Sequence, residues 1–364
     1  MALSVAFGYS VPVVAQRADY FGGKEPTDAL LEPLLRIPPQ YQAIRTREKM
    51  QIDGKADEAI WSRVPAIGPL VEIQGAAGAP QRNSSVKLCW DDEYLYLFAQ
   101  LEEAHLWATL KDHDVTVFMD HALEIFIDPD GDMYNYLELQ INAYETIWEL
   151  TMEKAYRNGG KSNSGFDIPG LKKAVRLRGT LNQPADRDEG WDVEMAIPLA
   201  ELKALMPSTR LNGQTWRVNF SQVSWELEVE NGKYQKIKGS GGRPNQPQYF
   251  VWSPQGRVDL HMPERWGILG FVEEAERHPP VTTREQEQHR LLWKYYYLQM
   301  DYRLKKQQFA GSLKVLKDAY PSVRFDEPYT IKMEPQQNGF ILEVRDRENS
   351  WQLNSAGELR KTNF

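Results

Sequence analysis

Cysteine is nearly absent: of 364 residues only Cys89 carries a thiol, which excludes an intrachain disulfide and any multi-thiolate zinc or iron–sulfur site. It sits in the apolar run Val86-Lys87-Leu88-Cys89-Trp90, where a buried, unreactive thiol is expected rather than a nucleophile. Basic charge is also short, 43 Lys and Arg against 51 Asp and Glu, for a net charge of −8. A chain so balanced offers no broad electropositive face for phosphates, so nucleic acid is not an expected partner. Beyond the N-terminus no stretch reaches the roughly 18 apolar residues of a membrane span. Several catalytic signatures are missing too. The six histidines include no pair at helical ligand spacing around a glutamate, so a zinc-protease motif is absent and a histidine-held mononuclear metal is not expected. No Gly-x-Ser-x-Gly elbow occurs. Gly160-Lys161-Ser162 has Ala155 where a phosphate loop needs its first glycine, and Gly239-Ser240-Gly241-Gly242 reads as a flexible loop.

What is present is an ordinary globular composition, 41% hydrophobic and 26% charged, with 11 Trp and 17 Tyr, residues that combine a flat apolar face with a polar edge. Met1 to Ala15 is apolar and ends in small residues before Gln16, though it lacks a basic start. Residues 1–16 therefore read either as a secretory signal, implying a secreted or periplasmic protein, or as an apolar strand. Residues 17–44 are proline-rich and patternless, an extended lead-in segment. From 45 to 273 short runs rich in Val, Ile, Tyr, Phe and Trp recur between turn residues, at 86–90, 94–101, 123–128, 134–142, 146–152, 191–197 and 215–223. That pattern predicts a mainly β fold, an antiparallel β-sandwich of immunoglobulin or jelly-roll type, with short helices at Asp57–Arg63 and Leu199–Leu205. Residues 280–364 form a separate C-terminal module: a helix over 282–310 with apolar residues at mixed three- and four-residue spacing, then two or three strands turned by Asn338-Gly339 and Ala356-Gly357.

Two groups of polar residues are candidates for chemistry. Asp128, Asp130 and Asp132 gather three carboxylates at a strand end, which suits a hard cation such as calcium; a solvated turn between strands is the alternative. The loop is not an EF-hand, since its sixth and twelfth positions are Met133 and Leu139. Glu138, Gln140 and Asn142 alternate with Leu137, Leu139 and Ile141 and so share one strand face, with Glu149 nearby on the next strand. Carboxylates and amides bordered by aromatic rings suit a sugar, whose hydroxyls take paired hydrogen bonds and whose ring faces stack on aromatics. A merely solvated face would look the same.

Six blocks in order carry a resemblance: Ile52-Asp53-Gly54-Lys55-Ala56-Asp57-Glu58-Ala59-Ile60-Trp61, Trp90-Asp91-Asp92-Glu93-Tyr94-Leu95-Tyr96, Asp120 through Asp132, Gly190-Trp191-Asp192-Val193-Glu194-Met195-Ala196-Ile197-Pro198, Trp216-Arg217-Val218-Asn219-Phe220, and Trp252-Ser253-Pro254 with His261 through Gly267. Over about 45–273 the chain resembles the carbohydrate-binding module family 9-like domains. The resemblance implies a β-sandwich that binds the end of a glycan, with structural calcium, a pair of aromatic rings clamping the sugar and polar side chains holding its hydroxyls. By motif, Glu124 takes the acidic position and Gln140 and Asn142 the hydrogen-bonding positions, while Trp252 resembles one wall. The second wall would be Phe118, where sugar-binding members have Trp, with Trp107 as a substitute.

Noncatalytic carbohydrate binding in support of polysaccharide breakdown is therefore the expected function. Two alternatives stay open. One is a glycoside hydrolase pairing Glu124 with Glu138 or Glu149. The other is an interaction role for the aromatic-rich helix (Trp293, Tyr295, Tyr296, Tyr297, Tyr302), whose rings would otherwise pack internally.

Overall fold

The computed structural model describes residues 19–206, 210–276, 278–326, 328–347 and 350–362; the apolar segment 1–16 lies outside the described residues. The protein is mainly β. Fourteen strands join in one mixed sheet, whose path runs Lys172–Arg178, Gly190–Pro198, Tyr94–Glu102, Ser85–Trp90, Gln40–Arg45, Gly267–Val272, Thr215–Ser224, Ala122–Asp128, Tyr134–Asn142, Ile147–Lys154, Ser162–Asn163. Gln248–Val251 also pairs with Thr215–Ser224 and leads to Leu70–Glu72 and Gln81–Arg82. A sheet this wide curls under its own twist. Its halves close on a shared apolar core, in which Leu97, Trp191 and Val193 of one half meet Ile125, Leu139 and Phe220 of the other. Cys89 is fully buried, and burial pushes its thiol well up, so it is unreactive.

Two expectations need correction. The strand Gln40–Arg45 lies, all but its last residue, inside the predicted lead-in, yet it joins the two halves, and it runs parallel to both neighbours (Gln40↔Ile268, Ile44↔Cys89), so the sheet is not purely antiparallel. Pro38-Pro39 masks its start, and only Tyr41 and Ala43 face the main core. Residues 199–205 make successive i to i+3 turns (Leu202 N to Leu199 O, Leu205 N to Leu202 O) instead of a helix.

The helix of the C-terminal module is Thr283–Lys306, capped by Thr282, whose hydroxyl accepts from Glu285 N at 3.2 Å. Tyr295, Tyr296 and Tyr297 are all fully buried. Three consecutive helical positions point in different directions, so a helix buried at all three is enclosed, not laid on a surface. One side meets the antiparallel meander Ile331–Gln336, Gly339–Arg345, Ser350–Asn354, Leu359–Thr362 through Phe340, Leu342 and Leu353. Another meets Tyr20, Phe21, Leu31, Leu34 and Leu35 of the N-terminal segment, and Met133 and Met262, from loops that connect strands of the large sheet, complete this second core. The aromatic helix thus packs internally.

A buried ion pair ties the parts together. Arg157 Nη2 donates to both oxygens of Glu264, at 2.8 and 2.7 Å, while its Nε donates to Tyr20 OH at 2.9 Å and Nη1 to the His261 carbonyl. Tyr297 OH donates to Glu264 Oε1 at 3.0 Å. The Glu264 side chain is wholly inaccessible and that of Arg157 is 6% exposed. Replacing Arg157 by Met leaves that carboxylate buried without its cation, which costs about 3–5 kcal/mol. Urea unfolding of Arg157→Met should show a loss of that size with undocking of the C-terminal module; an unchanged midpoint would mean the pair contributes nothing.

Candidate functional site

Antiparallel register assembles the site. Ser221 pairs with Glu124, Glu124 with Gln140, and Gln140 with Trp148, so four side chains line up across four adjacent strands on one face. Their sequence neighbours Phe220, Ile125, Leu139 and Ile147 point into the core. Phe126 opposite Glu138 lies on the same outer face.

The row is polar, buried and incompletely satisfied. Glu124 is 2% exposed and Gln140 and Ser221 are fully buried. The Gln140 amide donates to Glu138 Oε1 at 2.6 Å and Glu124 Oε1 at 3.3 Å. Glu124 Oε2 and Ser221 Oγ have no hydrogen-bond partner among the described residues. Burial, and then the charge of Glu138, hold the Glu124 carboxyl well above the usual range, and the adjacent Ser221 hydroxyl, close by though not in hydrogen-bond geometry, offsets them only in part. The Tyr249 phenol abuts the same charges and is raised chiefly by its own burial.

Half-exposed rings stand beside this row. Phe118 and Trp148 stack with centroids 6.3 Å apart and planes 29° from parallel. The shelf is anchored from below, since Phe118 N donates to Gln140 Oε1 at 2.8 Å, and from the side, since Trp225 Nε1 donates to the Phe118 carbonyl at 2.9 Å. Trp107 is largely buried behind it, edge-on to His121, with the Lys236 ammonium 3.5 Å from the Trp225 ring centre and 5.4 Å from that of Trp107.

Of the residues singled out from sequence, Phe118, Glu124, Gln140 and Glu138 come together and three others do not. Trp252 stacks on the core residue Phe220 at 5.9 Å and lies where a Cβ on Gly267 would stand, opposite Val218; it is on the core side of the sheet. Asn142 has every hydrogen-bonding position occupied: its amide donates to Leu110 O and Asp120 Oδ2, and its oxygen accepts from Tyr144 N and Thr146 N. It fastens a turn and has nothing left for a ligand. Glu149 pairs with Leu139 and so faces away from Glu138. Sequence reading missed Trp148, Ser221 and Tyr249. Trp148 was within reach, because the turn at 143–146 places it opposite Gln140.

Asp128, Asp130 and Asp132 do converge, with one oxygen from each within 4.8 Å of the others. The turn is shaped by Gly131 and Met133, both left-handed at φ 68° and 77°. Asp128 accepts from Gly131 N and Met133 N, and Asp132 from Tyr134 N. Burial and mutual repulsion push the Asp132 carboxyl up to about 7 and Asp128 well above its ordinary value. An all-oxygen set under such repulsion has the donor chemistry that a hard cation takes.

A mainly β domain with a polar, aromatic-bordered sheet face is the class these features define. The Carbohydrate family 9 binding domain-like family matches residues 52–223. The chain therefore carries, over that stretch, a carbohydrate-binding module family 9-like domain. It is similar to "Exoglucanase XynX" of Acetivibrio thermocellus, 27% identical over 62% of this chain and 18% of that protein. It is also similar to "Endo-1,4-beta-xylanase A" of Thermoanaerobacterium saccharolyticum, 30% identical over 50% of this chain and 13% of the relative. The chain spans less than a fifth of the length of either. Among solved structures it is similar to a family 9 carbohydrate-binding module of Caldicellulosiruptor kristjanssonii in complex with glucose, at 18% identity over 65% of this chain and 98% of that one, TM-score 0.40.

The unpartnered Glu124 oxygen has a measurable consequence. A carboxyl whose folded pKa is raised supplies stability below its unfolded pKa, near 4.3, and loses it as pH rises through the folded value. Without ligand, Glu124→Gln should therefore be more stable than the parent at pH 7 by about 1–3 kcal/mol and show a flatter pH profile in urea unfolding. A less stable variant at pH 7 would mean that the carboxylate is satisfied in solution.

Proposed function

We propose that this protein is a noncatalytic carbohydrate-binding protein, built as a β-sandwich, that holds a mono- or oligosaccharide end on the Phe118–Trp148 shelf above Glu124 and Gln140. The observation that carries the reading is the coincidence of a stacked aromatic pair with two unsatisfied buried oxygens, Glu124 Oε2 and Ser221 Oγ, on one sheet face. Ring faces take the C–H face of a pyranose, and a hydroxyl passing the half-exposed rings would give the carboxylate the donor it lacks. The family match and the xylanase and exoglucanase relatives support a role beside enzymes that break down polysaccharides, in a secreted or periplasmic setting. One sugar ring with a few hydrogen bonds implies micromolar to millimolar affinity by rough ligand-efficiency limits.

Calorimetric titration with glucose, xylose, cellobiose and xylobiose tests this. Saturable heat is expected for at least one sugar, reduced tenfold or more by Trp148→Ala and by Glu124→Gln, and largely kept by Asn142→Ala if that variant folds. Absence of heat with every sugar would sink the proposal. The hydrolase alternative would use Glu124 with Glu138, which share the Gln140 amide while burial raises Glu124. Release of labelled sugar from oligosaccharides, abolished by Glu124→Gln, would establish it in place of binding.

The Asp128–Asp130–Asp132 turn is the proposed calcium site, structural in role because Asp132 O accepts from Leu359 N of the C-terminal meander at 3.2 Å. Calcium should raise the melting temperature of the parent by several degrees, reversibly on chelation, and leave Asp128→Asn with Asp132→Asn unmoved. An equal rise in that double variant would place calcium elsewhere.

A further inference from the structure

Glu149, turned away from the sugar-site face, comes together with His113 and Asp167. The three contribute one nitrogen and two carboxylate oxygens, all within 4.8 Å of one another, from three segments far apart in sequence. His113 lies on the connection between Tyr94–Glu102 and the turn Val117–Met119. That connection is held to the sheet where Asp114, in a left-handed conformation at φ 62°, donates its backbone N–H to Ile147 O at 3.1 Å. Glu149 belongs to Ile147–Lys154, and Asp167 precedes the buried Ile168, whose N–H donates to Glu149 Oε1 at 3.3 Å.

Two independent features point to a ligand between them. Glu149 is 3% exposed, yet its Oε2 has no hydrogen-bond partner among the described residues; it faces His113 Nε2 at 3.2 Å without making a hydrogen bond to it. On the other side of the imidazole, Asp114 Oδ2 stands 3.4 Å from Nδ1. The imidazole thus stands between two carboxylates and makes a hydrogen bond with neither, so that Nε2 and Glu149 Oε2 border one space while Asp114 lies on the far side of the ring, where a metal-ligating histidine commonly has its outer partner.

We propose that His113, Glu149 and Asp167 form a site for a borderline divalent metal of the zinc type. One imidazole and two carboxylates suit zinc better than calcium, which prefers oxygen throughout. The separations need close only modestly to reach the roughly 3.3 Å ligand spacing of a tetrahedron with bonds of about 2.0–2.2 Å. A fourth position faces a cavity of about 330 Å³ lined by Lys111, Glu145, Thr146, Gly170 and Lys173, where water or an anionic group completes the shell. The site shares the strand Ile147–Lys154 with the sugar shelf but uses its opposite face, and it does not depend on sugar binding.

The test uses the full chain, stripped of metal by chelation and then held in excess calcium so that the all-oxygen turn is filled. Titration with zinc should show one saturable equivalent, and cobalt should give the visible ligand-field band of a tetrahedral site. His113→Ala, on an exposed loop and expected to fold, should weaken zinc at least tenfold and remove the cobalt band. Asp114→Asn should weaken zinc about tenfold through the imidazole alone. Asp128→Asn should leave zinc unchanged. No saturable zinc in the presence of calcium, or equal binding by His113→Ala, overturns the site.

Discussion

One desolvated guanidinium ties the N-terminal segment, the large sheet and the long C-terminal helix to one another. Arg157 leaves the end of the site-bearing strands and meets Glu264 just before the strand that closes the large sheet, Tyr20 of the N-terminal segment and the carbonyl of His261, while Tyr297 of the long helix donates to the same Glu264. One guanidinium nitrogen shared between both carboxylate oxygens, with the remaining donors taken up by Tyr20 and the His261 carbonyl, is what allows such a pair to persist away from water. Its cost is the reason it specifies structure: any arrangement that separates the segments strands a charge in the interior. The C-terminal module is therefore not an appendage. Its helix closes a second core whose remaining walls come from residues 20–35 and from Met133 and Met262.

Within the sheet the governing constraint is register. A one-residue slip of Ala122–Asp128 against its neighbours would turn Glu124 into the core and Ile125 out of it, so the apolar set that stabilises the fold also fixes the polar row. The same rule explains why Trp148 joins the row and Glu149 cannot. Neighbours on one strand serve opposite faces, and the sheet carries the Phe118–Trp148 shelf on one and a His–Glu–Asp cluster on the other.

Much of this was legible in the sequence, and the illegible part has specific causes. Strands such as 134–142 and 191–197 announce themselves by alternation and aromatic content. Gln40–Arg45 does not, because a strand enclosed between two parallel neighbours needs no long pattern and its prolines resemble a linker. Glu124, Gln140 and the Asp128–Asp132 turn were readable because local spacing and motif order place them. Trp252 was misjudged because motif order gives a position in the chain, not a face of the sheet, and the side is decided by pairing across Gly267. Asn142 was misjudged because saturation by Leu110, Asp120, Tyr144 and Thr146 is a property of the folded turn. His113, Glu149 and Asp167 lie 36 and 18 residues apart, beyond any spacing rule.

Acidic side chains divide the molecule into a settled and an unsettled half. In the first, Glu194 accepts from Asp53 N, Gly54 N and Trp61 Nε1, and Asp192 is paired with Arg178. Asp120 likewise accepts from Thr109 N, Leu110 N and Asn142. Burial of those groups is matched by donors, and they brace loops. In the strands from 122 to 154 the match fails repeatedly: Glu124 and Glu149 each keep a bare oxygen, and Asp128 and Asp132 face one another's charge. Unsatisfied buried acids each cost about 1–3 kcal/mol or more, and a donor or cation from outside the chain would relieve that cost. A hydroxyl can do so for Glu124, while only a cation can do so for the carboxylates crowded at Asp128–Asp132. The proposed sugar and calcium sites would therefore share a single physical reason, the shortage of internal partners in one group of strands.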